Sequence, residues 1–267
     1  MPLTDSHCHL ELIAESGEGE LEGALEAATE AGVDRIINIG LGPDNHAVLA
    51  RARQYPNVFA TLGWHPHEKV PPQDDDLMSM LELASDPRVV AIGEVGLDYY
   101  WRPGYHEVTP DIQKESFRRM LQLARKASLP VMVHNRDAHD DTLAMLENFE
   151  DVQVVMHAFS GDAEFARECI ARGIVMSIAG PVTYPSAAAV REAVEAAPVD
   201  QLIVETDAPF LPPQPWRGKP NRPHMMVETA GAVAQIKGLS LEDFATVSTR
   251  TADRVFRFPT ATAFPPG

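Results

Sequence analysis

Six side chains set the chemistry open to this chain: His7, His9, Glu94, His134, His157 and Asp207. His7 and His9 stand two apart in the segment Asp5-Ser6-His7-Cys8-His9. Strand side chains alternate, so on a first strand both imidazoles point one way and can chelate one ion. Taken alone, this spacing equally suits two hydrogen-bonded histidines at a barrel mouth. Asp5 lies on the same face, one step deeper, where a carboxylate can orient a ligating imidazole. Cys8 alternates away and reads as a packed thiol. Glu94 ends the run VVAIGE, His134 ends PVMVH, His157 ends VQVVMH and Asp207 ends QLIVETD. Buried carboxylates are rare unless paired or bound to metal. Any one of these residues can be structural, but four at the ends of apolar runs, together with the His7–His9 pair, point to metal. Nitrogen and oxygen donors suit Zn, Mn, Fe or Mg better than thiolate-preferring ions. Six donors exceed one tetrahedral ion and fit two ions about 3.5–4 Å apart that share a carboxylate. Such a pair acidifies a bridging water and steadies charge on the attacking and leaving oxygens.

Other residues suit the handling of substrate. His65 in GWHPH can contact a phosphate or a metal-bound oxygen, or be a loop histidine held locally beside Pro66. His67 reads chiefly as a loop residue. Asp98 either supports a ligand or fixes its loop. Arg136, two past His134, is a natural phosphate clamp, with a surface ion pair to Asp137 or Asp140 as its alternative. Glu205 points inward two before Asp207, either hydrogen-bonding a ligand or paired in the core. Trp216, Arg217, Lys219 and Arg222 form a cationic loop able to hold phosphate and stack a base; its alternative is a solvated, proline-stiffened loop. Trp64, Tyr99, Tyr100 and Trp101 suit either a stacking rim or plain loop packing. The acidic clusters in 11–22 and 74–76 read as solvated faces or helix starts.

The elements that must carry these residues alternate along the chain. Apolar or β-branched runs predict strands at Leu3–Leu10, Arg35–Gly40, Val58–Gly63, Val89–Leu97, Pro130–Asn135, Val152–Phe159, Ile174–Ala179 and Gln201–Thr206. Each is followed by a predicted helix: Glu20–Ala31, His46–Gln54, Leu77–Ala84, Thr109–Ser128, Ala138–Asn148, Ala163–Ala171, Ser186–Ala197 and Met225–Lys237. Two more are expected at Leu241–Ser248 and Thr251–Phe256. Phe117, Met120, Leu121, Ala124 and Ala127 recur at helical spacing. Runs such as VVAIG and PVMV suit strands buried on both faces of a parallel sheet. Eight strand–helix units without a composition break predict an α/β fold, a single (β/α)8 TIM barrel over residues 1–267, with a frayed tail from about 259. In a barrel the strand ends converge on one face, where active sites sit. An open doubly wound sheet is the alternative, but no G-x-G-x-x-G or Walker sequence follows a strand.

Composition narrows the function. The net charge of -17 argues against tight nonspecific binding to duplex nucleic acid, which needs many Lys and Arg contacts. It leaves room for an enzyme that holds a few nucleotides at a metal centre. Two distant cysteines make no disulfide framework, so a cytoplasmic place is expected. No signal peptide and no membrane span is predicted.

Together the motifs resemble the TatD-type family of metal-dependent deoxyribonucleases, within the amidohydrolase-like barrels. They are DSHCHL (5–10), GWHPH (63–67), IGEVGLDYY (92–100), PVMVHNRDA (130–138), HAFSG (157–161) and ETDAPFL (205–211), with RGKPNRP (217–223) similar to the family's last loop. The resemblance implies that His7, His9 and Asp207 hold one ion, His134 and His157 a second, and that Glu94 bridges them. It implies two divalent ions (Mg, Mn or Zn) and hydrolysis of DNA phosphodiesters. The substrate would be single strands or 3′ ends attacked as by a 3′–5′ exonuclease, with some members acting at damaged sites, hence in DNA repair. A hydroxide between the ions would attack phosphorus in line, with Asp207 accepting its proton. Arg136, His65 and the 217–222 loop would hold the phosphate. The last loop departs from the family pattern at Arg222 and His224. Arg222 would add a phosphate contact, and His224 would sit near the site or cap the next helix. A monomer is the default. The competing readings are an amidohydrolase acting on a small amide, ester or lactone, and a non-catalytic interaction module on a relict fold.

Overall fold

The structure is a computed structural model and describes residues 2–259. Strands and helices alternate throughout. They are β1 (Leu3–Cys8), α1 (Leu10–Ala14), α2 (Glu18–Glu30), β2 (Val33–Asn38), α3 (Asn45–Gln54), β3 (Val58–Leu62) and α4 (Asp74–Leu83). There follow β4 (Val89–Asp98), α5 (Pro110–Ala127), β5 (Val131–Arg136), α6 (His139–Leu146), β6 (Val154–Met156) and α7 (Ala163–Ala171). The chain ends with β7 (Val175–Ile178), α8 (Ala188–Ala196), β8 (Leu202–Val204), α9 (Met226–Ile236) and α10 (Leu241–Phe256). The eight strands form one sheet in the order β1 to β8. Every expected strand is present, and each expected run overlaps an observed one. Beyond Pro259 the expected tail lies outside the described residues. Among the described residues, no helix is long and apolar enough to cross a membrane.

Two compact units make up the chain. The first comprises Met1–Ile39 and Val154–Ala252. In it β1 pairs β2, β6 pairs β7 and β7 pairs β8, all parallel. Its last strand also meets its first: Cys8 bridges Ala208 in parallel, and the His9 amide donates to the Ala208 carbonyl at 2.8 Å. The strands of this unit are buried along their apolar positions, as two-faced parallel strands must be.

The second unit comprises Gly40–Gln153 and Asp253–Gly267. Here β3 pairs β4 and β4 pairs β5, again parallel. β4 carries the whole burial pattern of a core strand over ten residues. Two glycines let it lie where it does. A Cβ on Gly63 would stand 1.8 Å from the Gly40 carbonyl oxygen, and one on Gly96, whose φ is +143°, 2.0 Å from that of His134. Only glycine tolerates both the approach and the left-handed backbone. Thr109 precedes α5, Pro110 stands in its first turn, and Ser128, whose φ is 57°, follows its last residue. Its buried face includes Phe117, Met120, Leu121 and Ala124, the spacing expected of it.

One expectation is corrected. The two C-terminal helices are a single helix, α10. Its buried positions Phe244, Ala245, Ser248, Thr251, Ala252 and Val255 keep helical spacing straight through the expected break. Ser248 and Thr251 read as polar in sequence, yet they are buried, and Thr251 Oγ1 donates to the Asp200 carbonyl at 3.2 Å.

Candidate metal centre

In the first unit the last residues of β1 and the turn after β8 converge. His7 Nε2 and His9 Nε2 lie 3.3 Å apart, so the two imidazoles do face one way. Asp207 Oδ1 stands 3.1 Å from His9 Nε2 and 3.7 Å from His7 Nε2. Asp207 is placed by its backbone: φ is 56°, and its amide donates to the His7 carbonyl at 2.8 Å. Left-handed backbone is uncommon outside glycine, and Asp is among the residues that tolerate it. Burial pushes the Asp207 carboxyl up, but the His9 hydrogen bond and the nearby His157, His9 and His7 outweigh it and hold it below the usual range.

The three donor atoms pass a simple test of fit. Ligands at 2.0–2.1 Å from a tetrahedral ion sit about 3.3 Å from one another. The observed edges of 3.3, 3.1 and 3.7 Å match that triangle. Two imidazole nitrogens and one carboxylate oxygen suit a divalent ion.

His157, one past β6, stacks on His7 with ring centroids 3.5 Å apart. Its Nδ1 lies 2.8 Å from Glu205 Oε1. Glu205 Oε1 also accepts from the Ala158 amide at 3.1 Å. His7, His157 and Glu205 thus offer ligand atoms within 4.8 Å of one another. Asp5 takes a different place from the one expected. Its carboxylate accepts from Thr206, at 2.9 Å from the amide and 2.6 Å from the hydroxyl, and from the His7 amide, rather than orienting an imidazole ring. Thr206 out-competes the ring because it lies beside β1 with two donors. Burial pushes the Asp5 carboxyl up to about 8. Cys8 is buried, as expected, and burial raises its thiol well above the ordinary value.

In the second unit His65, Glu94 and His134 offer ligand atoms within 4.8 Å of one another. His134 Nδ1 is 2.6 Å from Glu94 Oε1, and His65 Nε2 is 3.7 Å from the same oxygen. The backbone of Glu94 is gripped on both sides: its amide donates to the Gly40 carbonyl at 2.8 Å, and its carbonyl accepts from the Trp64 amide at 3.1 Å. On the far side of the ring, His134 Nε2 meets Asp98 Oδ2 at 3.2 Å. A carboxylate on one imidazole nitrogen fixes the tautomer and aims the other.

Asp98 therefore does both things weighed for it. Its Oδ2 also takes His67 Nε2 and the Tyr105 hydroxyl, each at 3.0 Å, and its Oδ1 accepts from the Tyr100 amide. Burial would raise its carboxyl, but the bonds from His134, His67 and Tyr105 hold it far below the usual range. Gln113 in α5 clamps its backbone, donating to the Asp98 carbonyl and accepting from its amide.

Arg136 continues β5 and makes no pair with Asp137 or Asp140. It donates to the Tyr105 hydroxyl at 2.8 Å, and its guanidinium lies 3.9 Å over the Tyr100 ring. The stacking rim is only partly there. Trp64 is 4% exposed, and its indole donates to the Val70 carbonyl. Tyr99 donates to Asp141. Trp101 is 71% exposed. In the last loop Arg217 and Lys219 are exposed, the first 4.8 Å over Tyr184 and the second 5.5 Å over Trp216. Arg222 turns to Glu20, 3.8 Å away, and to the Asn221 carbonyl. His224 faces Trp216 edge-on, and burial together with Arg222 lowers its pKa.

The family description "TatD related DNase" matches residues 4–257. The chain belongs to the TatD family. The metal-dependent hydrolase YabD of Bacillus subtilis is 40% identical to this TatD-family chain, covering 96% of it and 99% of YabD. The protein named 3′-5′ ssDNA/RNA exonuclease TatD from Cronobacter turicensis is 35% identical over 87% of this chain and 90% of its own. The crystal structure of YjjV, a TatD homologue from Escherichia coli, superposes with a TM-score of 0.87 at 30% identity, covering 96% and 98% of the two chains. The chain is thus a TatD-family metal-dependent hydrolase, and its fold class is the (β/α)8 barrel.

Several residues beside these donor groups are not among those the sequence singles out. Asn221 is buried and donates to the Thr206 and Leu211 carbonyls, tying the last loop to the end of β8. Tyr105 and His106 lie in the connection between β4 and α5, where no periodicity marks them. A buried Asn in a loop otherwise rich in proline and cations is the one signal that was available.

Proposed function

We propose that this TatD-family hydrolase cleaves DNA phosphodiester bonds as a 3′–5′ exonuclease preferring single strands. The observation that carries the reading is the donor triangle of His7 Nε2, His9 Nε2 and Asp207 Oδ1, whose edges match those around one divalent ion. In this reading His7, His9 and Asp207 hold one ion, His134 and His157 a second, and Glu94 serves both, as the family resemblance implies. The ions, Mg, Mn or Zn, supply the positive charge that acidifies water and offsets charge on phosphate oxygens. The nuclease assignment is supported by the name of the Cronobacter turicensis relative.

Asp207 takes the proton from the attacking water, since its second oxygen is left for that bond once Oδ1 is a ligand. His65, part-exposed after β3, donates to a phosphate oxygen. Arg136 presents a planar cation held by Tyr105 and Tyr100, suited to bidentate phosphate contact. Trp216, Arg217 and Lys219 receive the next nucleotides, and Arg222 shapes that loop through Glu20. The buried free thiols Cys8 and Cys169 support a reducing, cytoplasmic setting. A single catalytic domain, monomeric and serving DNA repair, completes the proposal.

The test is release of mononucleotides from end-labelled single- and double-stranded DNA with Mg, Mn or Zn. Metal-dependent release from the 3′ end, faster on single strands and abolished in Glu94→Ala, is expected. No metal-dependent cleavage by the wild type overturns the nuclease reading; activity that survives in Glu94→Ala overturns the site.

A further inference from the structure

A separate donor group stands at the end of β4, sharing no residue with the sets above. His67 comes from the turn after β3, Asp98 is the last residue of β4, and His106 lies in the connection to α5. Each offers one ligand atom, and the three lie within 4.8 Å of one another. His67 Nε2 is 3.0 Å from Asp98 Oδ2, and His106 Nε2 is 3.9 Å from Asp98 Oδ1. The two imidazoles stack at 4.4 Å. The His106 side chain is 7% exposed, yet neither of its ring nitrogens has a hydrogen-bond partner. A neutral imidazole has one donor and one acceptor, and buried polar atoms are satisfied as a rule. Here the ring stacks on the imidazole of His67 and has the Asp98 carboxylate near its Nε2, both residue types that bind metal.

We propose that His67, Asp98 and His106 form a further cation site, for a divalent transition metal of the zinc class. Two nitrogens and one oxygen are the ligand types of a three-protein-ligand zinc site with its fourth position open. Bonds of about 2.0–2.2 Å need donor separations of about 3.3 Å; His106 Nε2 stands 3.9 Å from Asp98 Oδ1, and one donor atom from each of the three residues lies within 4.8 Å of the others. Asp98 can give Oδ1 to the ion while Oδ2 keeps His134 and Tyr105. Arg136 stands one hydrogen bond away, on Tyr105, and its charge opposes a cation. The site therefore favours ions bound through imidazole over Mg and Ca, which are held by oxygen and charge. An ion there pins the coil between Asp98 and Pro110, which has no helix or strand of its own, to the ends of β3 and β4.

The test needs no substrate. Chelator-stripped protein is re-equilibrated with excess Zn or Mg, desalted, and its bound metal counted per chain for the wild type, His106→Ala and His67→Gln. The expected result is one Zn equivalent fewer in each variant, with no difference in Mg. Zn should also protect the 99–109 segment from proteolysis in the wild type and fail to do so in the variants. Equal Zn counts in the wild type and in either folded variant overturn the proposal, and so does the absence of Zn-dependent protection in the wild type. His67→Gln, at a part-exposed turn, carries the comparison should His106→Ala fail to fold. Because the readout is a difference in metal count, its failure leaves the nuclease reading intact, and loss of nuclease activity leaves this site standing.

Discussion

Single side chains in the two donor groups work in pairs, an imidazole backed by a carboxylate. Asp98 sits on His134 Nε2 at 3.2 Å, and Glu205 on His157 Nδ1 at 2.8 Å. The other nitrogen of each ring is thereby aimed. Replacing Glu205 by Gln keeps the volume and removes the charge behind His157. Activity or metal affinity should fall by about 10–100-fold with the fold retained, the usual loss when such a backing group goes. The readout is kcat/KM beside a chelator-competition titration; an unchanged pair of values would make Glu205 a core carboxylate and nothing more. The ligand types were legible in the sequence because a carboxylate or imidazole closing an apolar run is costly without a partner. Direction was legible too, since alternation alone puts His7 and His9 on one side. Partners were not. Asp5 shares the face of His7, but Thr206 offers it two donors, and no pattern in β1 announces a neighbour 201 residues away.

At the scale of elements, continuous apolar runs and helical spacing located every strand and the long helices. What they missed are the short and the strained pieces. α1 has five residues, too few to show a period. β6 and β8 stop before His157 and Asp207, because Ala158 and Asp207 turn left-handed, with φ of 40° and 56°. Such residues cost roughly 1–3 kcal/mol each, and hydropathy carries no trace of them. The sequence likewise suggests two pieces for α10, whose buried positions run on across 249–250. Its continuity makes a direct prediction. Arg250 is exposed in the middle of α10, in the gap between the two helices that the sequence suggests. Proline there removes a backbone hydrogen bond and clashes with the preceding turn, so Arg250→Pro should destabilise by about 3 kcal/mol or more. At about 2–4 °C per kcal/mol, the thermal midpoint should drop by roughly 6 °C or more. Arg250→Ala should leave it in place; a proline variant as stable as the alanine one would restore the two-helix reading.

For the molecule as a whole, the balance of charge decides how it can hold a polyanion. With a net charge of -17, the long-range field repels DNA, and affinity must come from ions and a few aimed cations. The cations placed for the task are Arg136, Arg217 and Lys219, because Arg222 is already turned to Glu20. Each phosphate neutralised on a single strand contributes about -0.7 to the slope of log affinity against log salt. Three contacts give a slope of about -2. Background repulsion, screened over about 10 Å at 0.1 M salt, flattens it further, since salt relieves the repulsion while it weakens the contacts. Binding of a hydrolysis-resistant phosphorothioate single strand, followed by anisotropy at fixed Mg and rising KCl, should therefore show a slope no steeper than about -2. Removing two contacts in Arg217→Gln/Lys219→Gln should weaken binding and bring the slope toward about -0.7. A wild-type slope of about -4 or steeper would mean a basic track that the named residues do not supply. An unchanged slope in the double variant would take the 217–222 loop out of substrate binding and leave Arg136 and the metal centre to hold the strand.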